Sequence, residues 1–147
     1  MRFVPVKSAE QQAVLSLHRI RQGLIRQRIG LVNQLRGLLT EFGLIIPKGR
    51  YQTHQKIPAI LEHADNGLPD LARKLIYGIW QRYQATCEQV LEADRELSKL
   101  ARESEQARRL MTIPGVGEQV STAMVASIEP RLFNSGRQLA AWIGLTV

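Results

Sequence analysis

The chain is poor in the residues that covalent chemistry needs. Cys87 is the only cysteine among 147 residues, so no intrachain disulfide can form, and a reducing cytoplasm is the natural setting. His18, His54 and His63 are scattered along the chain, and with a single thiol they do not make a structural zinc site. Aromatic residues are 5% of the total, too sparse for a base-stacking platform. No apolar run approaches the length that crosses a bilayer, and the N-terminus lacks the basic-then-apolar order of a signal peptide. The most telling omission concerns charge of one sign: between Glu10 and Glu41 there is no acidic residue.

What is present is basic. The chain carries 20 Lys and Arg against 13 Asp and Glu, a net +7, a balance that favours a polyanionic partner. The excess is local. Residues 1–56 carry +8, and residues 57–147 carry −1.

After a short lead-in with Pro5, Ser8-Ala9-Glu10-Gln11 forms a capping box that starts a helix. Val14, Leu17, Arg21, Leu24, Arg28, Leu31, Leu35, Leu38 and Phe42 then alternate spacings of three and four, the seam of a coiled coil. The predicted helix runs from about Ala9 to Phe42, roughly 50 Å, with Gly43 as its C-terminal cap. Arg21 and Arg28 sit in the seam itself, where an unpaired guanidinium is costly. They either snorkel or mark a face for nucleic acid or another subunit. Arg19, Gln22, Arg26, Asn33 and Arg36 form a second stripe at helical spacing that can follow a phosphate backbone.

Residues 43–56 read as a connector with a basic turn at Pro47-Lys48-Gly49-Arg50, in which Tyr51 and His54 are solvated loop residues. Pro58 opens a short helix through Ala64, stopped by Asp65-Asn66-Gly67. A second long helix is predicted over Pro69–Arg102, with the seam Ile76, Ile79, Tyr83, Thr86, Val90, Ala93, Leu97 and Leu100. Its surface mixes signs, and Trp80 lies one residue off the seam, placed for packing rather than for stacking on a base. Two helices of similar length joined this way form an antiparallel coiled-coil hairpin, with self-association as an addition.

Ser104 caps the next helix, Ala107–Thr112, which leads into Ile113-Pro114-Gly115-Val116-Gly117 and another short helix, a helix-hairpin-helix pattern. The amides of Gly115, Val116 and Gly117 are a possible phosphate seat. Glu118 directly after them suits the helix dipole but repels a phosphate, which shifts the hairpin towards a structural role. Glu129-Pro130-Arg131 is a stop, and Ser135 caps a last helix over Gly136–Ile143.

No catalytic constellation emerges. Glu88, Glu92 and Glu96 share a helix face with basic residues between them and no opposing acidic cluster, so they read as salt-bridge partners rather than metal ligands. Ser121, Ser127 and Ser135 have no histidine near them in sequence.

With these motifs in view, Met111-Thr112-Ile113-Pro114-Gly115-Val116-Gly117 and the run Phe133–Leu145 together resemble the transposase domain of the IS-one-ten family of bacterial insertion-sequence transposases. Arg2–Lys7, Asn33–Leu39, Glu41-Phe42-Gly43 and Asp65–Pro69 resemble the coiled-coil region of its eleven-eleven subgroup. The resemblance implies a RuvC-like nuclease domain before the coiled coil, a serine after the Trp-Ile-Gly-Leu segment, DNA strand exchange, a structured guide RNA and assembly from dimers. No residue of this chain matches a catalytic position of that family. The expectation is therefore a fragment without cofactor of its own, divalent metal belonging to the missing nuclease domain, and inactive by itself.

The sequence thus predicts an all-α chain: a coiled-coil hairpin over 1–103 with a basic first helix, then over 104–147 the truncated start of a helix-hairpin-helix-containing transposase domain. Its partners are DNA, structured guide RNA or both, bound through Arg19, Arg21, Arg26, Arg28, Arg36, Lys48 and Arg50, with a homodimer through the coiled coil and no membrane. It is expected in the bacterial cytoplasm, on the nucleoid when bound. The alternative is an oligomerisation module that binds no nucleic acid of its own.

Overall fold

In a computed structural model, which describes residues 7–129 and 133–142, the first helix begins where its capping box places it. The Ser8 amide donates to Gln11 Oε1 at 3.0 Å and the Gln11 amide to Ser8 Oγ at 3.1 Å, closing the box in both directions. Helix α1 then runs Ala9–Glu41. Gly43 ends it at φ 74. The Gly43 amide bonds to Thr40 O and the Leu44 amide to Leu39 O, both at 2.9 Å, the Schellman pairing that positive φ permits. Leu44 packs against the cluster that contains Leu39, supplying the apolar contact such an ending favours.

Five further helices follow among the described residues: α2 (Arg50–Glu62), α3 (Asp70–Glu103), α4 (Glu105–Leu110), α5 (Glu118–Ser127) and α6 (Gly136–Trp142). No strand occurs among them, so the all-α class holds. The predicted lead-in and the expected stop at Pro130-Arg131 fall outside the described residues, as does Ile143 at the end of the last predicted helix.

The chain divides into two compact units, one of residues 20–94, the other joining the stretch up to Arg19 with that from Arg95 onward. In the first, Leu31, Leu35 and Leu39 of α1, Ile57 of α2, and Ile76, Ile79, Trp80, Tyr83 and Cys87 of α3 form one core with Ile46 and Leu68 from the connectors. Here α1 and α3 run antiparallel, since Arg21 meets Asp94 while Arg28 and Val32 share a cleft with Tyr83. The buried line on α1 is not the predicted one at its C-terminal end. Leu39 is fully buried where Leu38 was expected, and Phe42 is 39% exposed, because a helix not wound to a strict heptad drifts from a 3.5-residue repeat.

Helix α2 is the main correction. Sequence reading starts it at Pro58 and leaves Tyr51 and His54 in a loop; the helix begins at Arg50 and contains Pro58 in its interior. Gly49, at φ 113, makes the break that lets the chain turn into it. Thr53 and Ile57, four apart, are both buried and give the helix the apolar contact that offsets the amide missing at Pro58. His54 accordingly lies over the rings of Trp80 and Tyr83, at 5.4 Å from each, while Trp80 and Tyr83 stack at 5.3 Å. Trp80 is packed, as its place beside the seam suggests.

The C-terminal end of α2 is held by Arg73. Its Nη1 donates to Ile60 O and Leu61 O at 3.0 and 2.7 Å, and Nη2 to Asn66 Oδ1 at 2.9 Å. A cation on the last carbonyls satisfies orphan acceptors and complements the helix dipole.

In the other unit Ser104 caps α4 by accepting from the Ala107 amide at 3.1 Å, and α4 packs on α5. Ala101, Ala107, Ser121, Thr122 and Ala126 are buried, and their small side chains allow close approach. His18 Nε2 lies 3.1 Å from Thr122 Oγ1, tying α1 to α5 inside this unit.

Candidate nucleic-acid interface

The seven predicted basic residues do not share one fate. Arg21 is turned inward: its Nε meets Asp94 Oδ1 at 2.5 Å, with only 18% of its side chain exposed. The question of how an arginine survives in the seam is answered by an acid 73 residues away, which leaves Arg21 neutralised. Arg19 and Arg26 are exposed on α1, seven residues apart, with Arg19 belonging to the unit that holds the C-terminal helices. Lys48 is exposed in the connector.

Arg28, Arg36 and Arg50 come together. With Asn33, Thr53 and Tyr83 they line a cleft of about 220 Å³ between α1, the start of α2 and α3. Arg36 is anchored there, its Nη2 donating to Pro47 O at 3.3 Å and Thr53 Oγ1 at 3.2 Å, while its Nε is buried with no hydrogen-bond partner. Neither Arg28, Arg36 nor Arg50 forms an ion pair among the described residues. Burial and the neighbouring Cys87 thiol push the Tyr83 phenol up, whereas Arg50 and Arg28 pull it down, which places both cations within electrostatic reach of the phenol. Burial, with Arg50 adding to it, lowers His54 below its ordinary value, so the ring is held neutral above the slightly acidic range.

The Gly115–Gly117 turn is built differently. The Val116 amide donates to Ile113 O at 3.0 Å across Pro114 and Gly115, and Gly115 takes the positive φ, 87°, that the third position of such a turn demands. One of the three amides counted as a phosphate seat is thus already bonded. Glu118 lies in the first turn of α5, and its carboxylate accepts from Ser98 Oγ, which fixes the acid at that helix start. The Trp142 main chain closes α6. A separate, largely apolar cleft of about 490 Å³ lies among α4, α5 and α6, lined by Leu110, Met124, Val125, Ile128 and Leu139. Sequence reading missed both clefts, because each needs three elements to form.

Comparison with known proteins points to a family. Residues 107–147 match the model described as the transposase IS116/IS110/IS902 family, a stretch that starts within α4 and includes the turn, α5 and α6. Over 99% of its length the chain is 45% identical to "Putative transposase y4pF/y4sB" of Sinorhizobium fredii, covering 38% of that protein. It is 39% identical to the "Probable family 20 transposase" of Pseudomonas aeruginosa, covering 44% of it. Residues 107–147 thus match a transposase domain of the IS116/IS110/IS902 kind, and nearly the whole chain is similar to transposases. The transposase for insertion sequence element IS1111A of Coxiella burnetii is 34% identical over 99% of the chain and 40% of its own length. The chain therefore spans about two fifths of the length of the curated relatives it matches. No solved structure matches it. No helix among the described residues is long and apolar enough to cross a membrane.

Proposed function

We propose that this chain is a nucleic-acid-handling and assembly part of an insertion-sequence transposase, acting in DNA transposition by holding the element's DNA or a structured guide RNA rather than by cutting it. The observation that carries the reading is α1: a 33-residue helix with no acid from residue 11 to residue 40, with Arg26 exposed and with Arg28 and Arg36 lining a cleft that also holds Arg50. An unbalanced stripe of this kind interacts with phosphates over several nucleotides and releases counterions on binding. The similarity to transposases supports DNA as the setting, since the relatives are transposases by name.

The residues assigned to contact are Arg19, Arg26, Arg28, Arg36, Lys48 and Arg50, with Arg21 withdrawn into its pair with Asp94. Fluorescence anisotropy with a duplex and with an RNA hairpin tests this. Binding of about micromolar strength or weaker is expected, falling steeply as salt rises. The double substitution Arg19→Glu and Arg26→Glu should weaken it for every sequence alike; unchanged binding by that variant would refute the surface.

Self-association is a second reading with its own observation. Ile20 and Ile29 on α1 are 60% and 50% exposed and would be covered by a second copy of the helix. Sedimentation equilibrium of the wild type against Ile20→Ser/Ile29→Ser separates the possibilities: a dimer lost in the variant supports a homodimer through α1, and a monomer in both removes it.

A further inference from the structure

We propose that the cleft between α1, the start of α2 and α3 is a seat for a single phosphate group of a nucleic-acid backbone, gripped by Arg28, Arg36 and Arg50. The inference rests on the reading of the chain as a nucleic-acid binder for the source of the phosphate, but not for the site itself.

Three features converge on an anion. The first is charge without a counterpart: three guanidinium side chains line a cleft of about 220 Å³, and none of them has an ion pair among the described residues. Three arginines elsewhere are engaged within the chain, Arg21 on Asp94, Arg73 on the carbonyls that end α2 and Arg109 on Glu105, whereas Arg19 and Arg26 are exposed singly on α1; what distinguishes Arg28, Arg36 and Arg50 is that one cleft collects them. The second is a donor with nothing to donate to. Arg36, which lines the cleft, is fixed through Nη2 to Pro47 O and Thr53 Oγ1, yet its Nε is buried with no hydrogen-bond partner among the described residues, an arrangement that costs free energy. The third is the start of α2, where Gly49 provides no side-chain cap and the first turn contains no acidic residue, so its amides and the positive end of its dipole are not internally neutralised.

The chemistry favours phosphate over carboxylate. Guanidinium groups from two helices, Arg28 and Arg36 of α1 and Arg50 of α2, can share the several oxygens of a phosphate, whereas one guanidinium fork already satisfies a planar carboxylate. The size of the cleft suits one phosphate and not a whole nucleotide; Asn33 adds a neutral polar side chain to its lining, while the buried Thr53 hydroxyl is already engaged, donating to Gly49 O and accepting from Arg36. An Arg28, Arg36 and Arg50 clamp fixes one point of the backbone, while Arg26 and Lys48 supply diffuse attraction without a pocket.

The test uses the 147-residue chain labelled with ¹⁵N, following the arginine Nε–Hε resonances during titration with inorganic phosphate and, at matched ionic strength, with chloride. The Arg36 resonance should move saturably with phosphate and hardly at all with chloride, and Arg28→Gln/Arg50→Gln should abolish the saturable shift while leaving the melting temperature unchanged, since neither side chain has a hydrogen bond or ion pair among the described residues. No phosphate-specific movement of Arg36, or an identical response to chloride, would overturn the site. The source is decided by nucleic-acid binding. The double glutamine variant should lose about tenfold in affinity for duplex or hairpin and lower the salt slope by about one. A saturable phosphate shift with undiminished nucleic-acid affinity in that variant would overturn the backbone assignment in favour of a free anion. A chain that binds no nucleic acid would refute the proposed function, and the phosphate titration would still decide the cleft.

Discussion

Helices α1 and α3 are almost equal in length, 33 and 34 residues, and they divide the work of the molecule unequally. Helix α3 buries a nearly continuous line from Ile76 through Tyr83, Val90 and Leu97 to Ala101, and mixes acids with bases on its outer face. Helix α1 buries only Leu31, Leu35 and Leu39, leaves Val14, Leu17 and Leu24 half-buried, and presents arginines with no acid among them. Where α3 carries a cation in a structural place, as with Arg73, the cation is engaged by carbonyls; of the arginines on α1, only Arg21 forms an ion pair among the described residues. Helical form alone is therefore no guide to role. What separates the two is how much of each helix's chemistry is satisfied internally.

The sharpest way to break this contrast is a matched pair of truncations. Leu97→Ala, in a site 1% exposed, should cost about 2–5 kcal/mol in urea denaturation, whereas Leu17→Ala on half-buried ground should cost about 1 kcal/mol or less. Similar losses would mean that α1 is as firmly packed as α3. Next in size, Arg73→Gln should lower stability by about 1–3 kcal/mol through the carbonyls it abandons, with nucleic-acid affinity unchanged. Arg26→Gln should do the reverse, changing stability by no more than about 0.5 kcal/mol while weakening binding; a variant that moved both quantities would blur the division. Smaller again is the ion pair between the two helices. A double-mutant cycle with Arg21→Ala and Asp94→Ala should return a coupling of about 1 kcal/mol, as for a pair between surface and interior.

The smallest effect concerns protons. His54 has a folded-state pKa below its ordinary value, chiefly from burial and then from Arg50. Below about pH 6.5 the unfolded chain takes up a proton that the folded chain resists, so stability present above that pH declines as the pH falls through the lowered value. Thermal melts of His54→Gln should show a shallower decline across that window than the wild type, and parallel curves would show that the ring cluster is indifferent to charge.

How far the sequence reveals this depends on whether a feature is local. The Ser8 box, the Gly43 ending and the Ser104 cap are each contained in a few residues, and each forms with the partners its spacing predicts. The α3 line was legible too, because it is long and uninterrupted, although Ala101 rather than Leu100 is fully buried at its end. Helix α2 was not, because Pro58 is a strong local signal that the burial of Thr53 and Ile57 overrides. For the candidate interface, residue type was legible and residue fate was not. Nothing near Arg21 in sequence predicts Asp94, and nothing in the single residues Arg28, Arg36 and Arg50 predicts that one cleft collects them.

The make-up of helix α2 has a dynamic consequence. A helix of 13 residues is marginal alone, and an internal proline costs it about 3 kcal/mol more. Its existence is thus borrowed from two side chains on its buried face and from Arg73 at its far end. Such an element opens before the rest of its unit, and its amides should exchange with solvent faster than those of α3. Anything that binds at its first turn is then favoured by the helical state and favours it in return, so occupancy of the arginine cleft would be read out as protection spreading along α2, coupling by population rather than by movement.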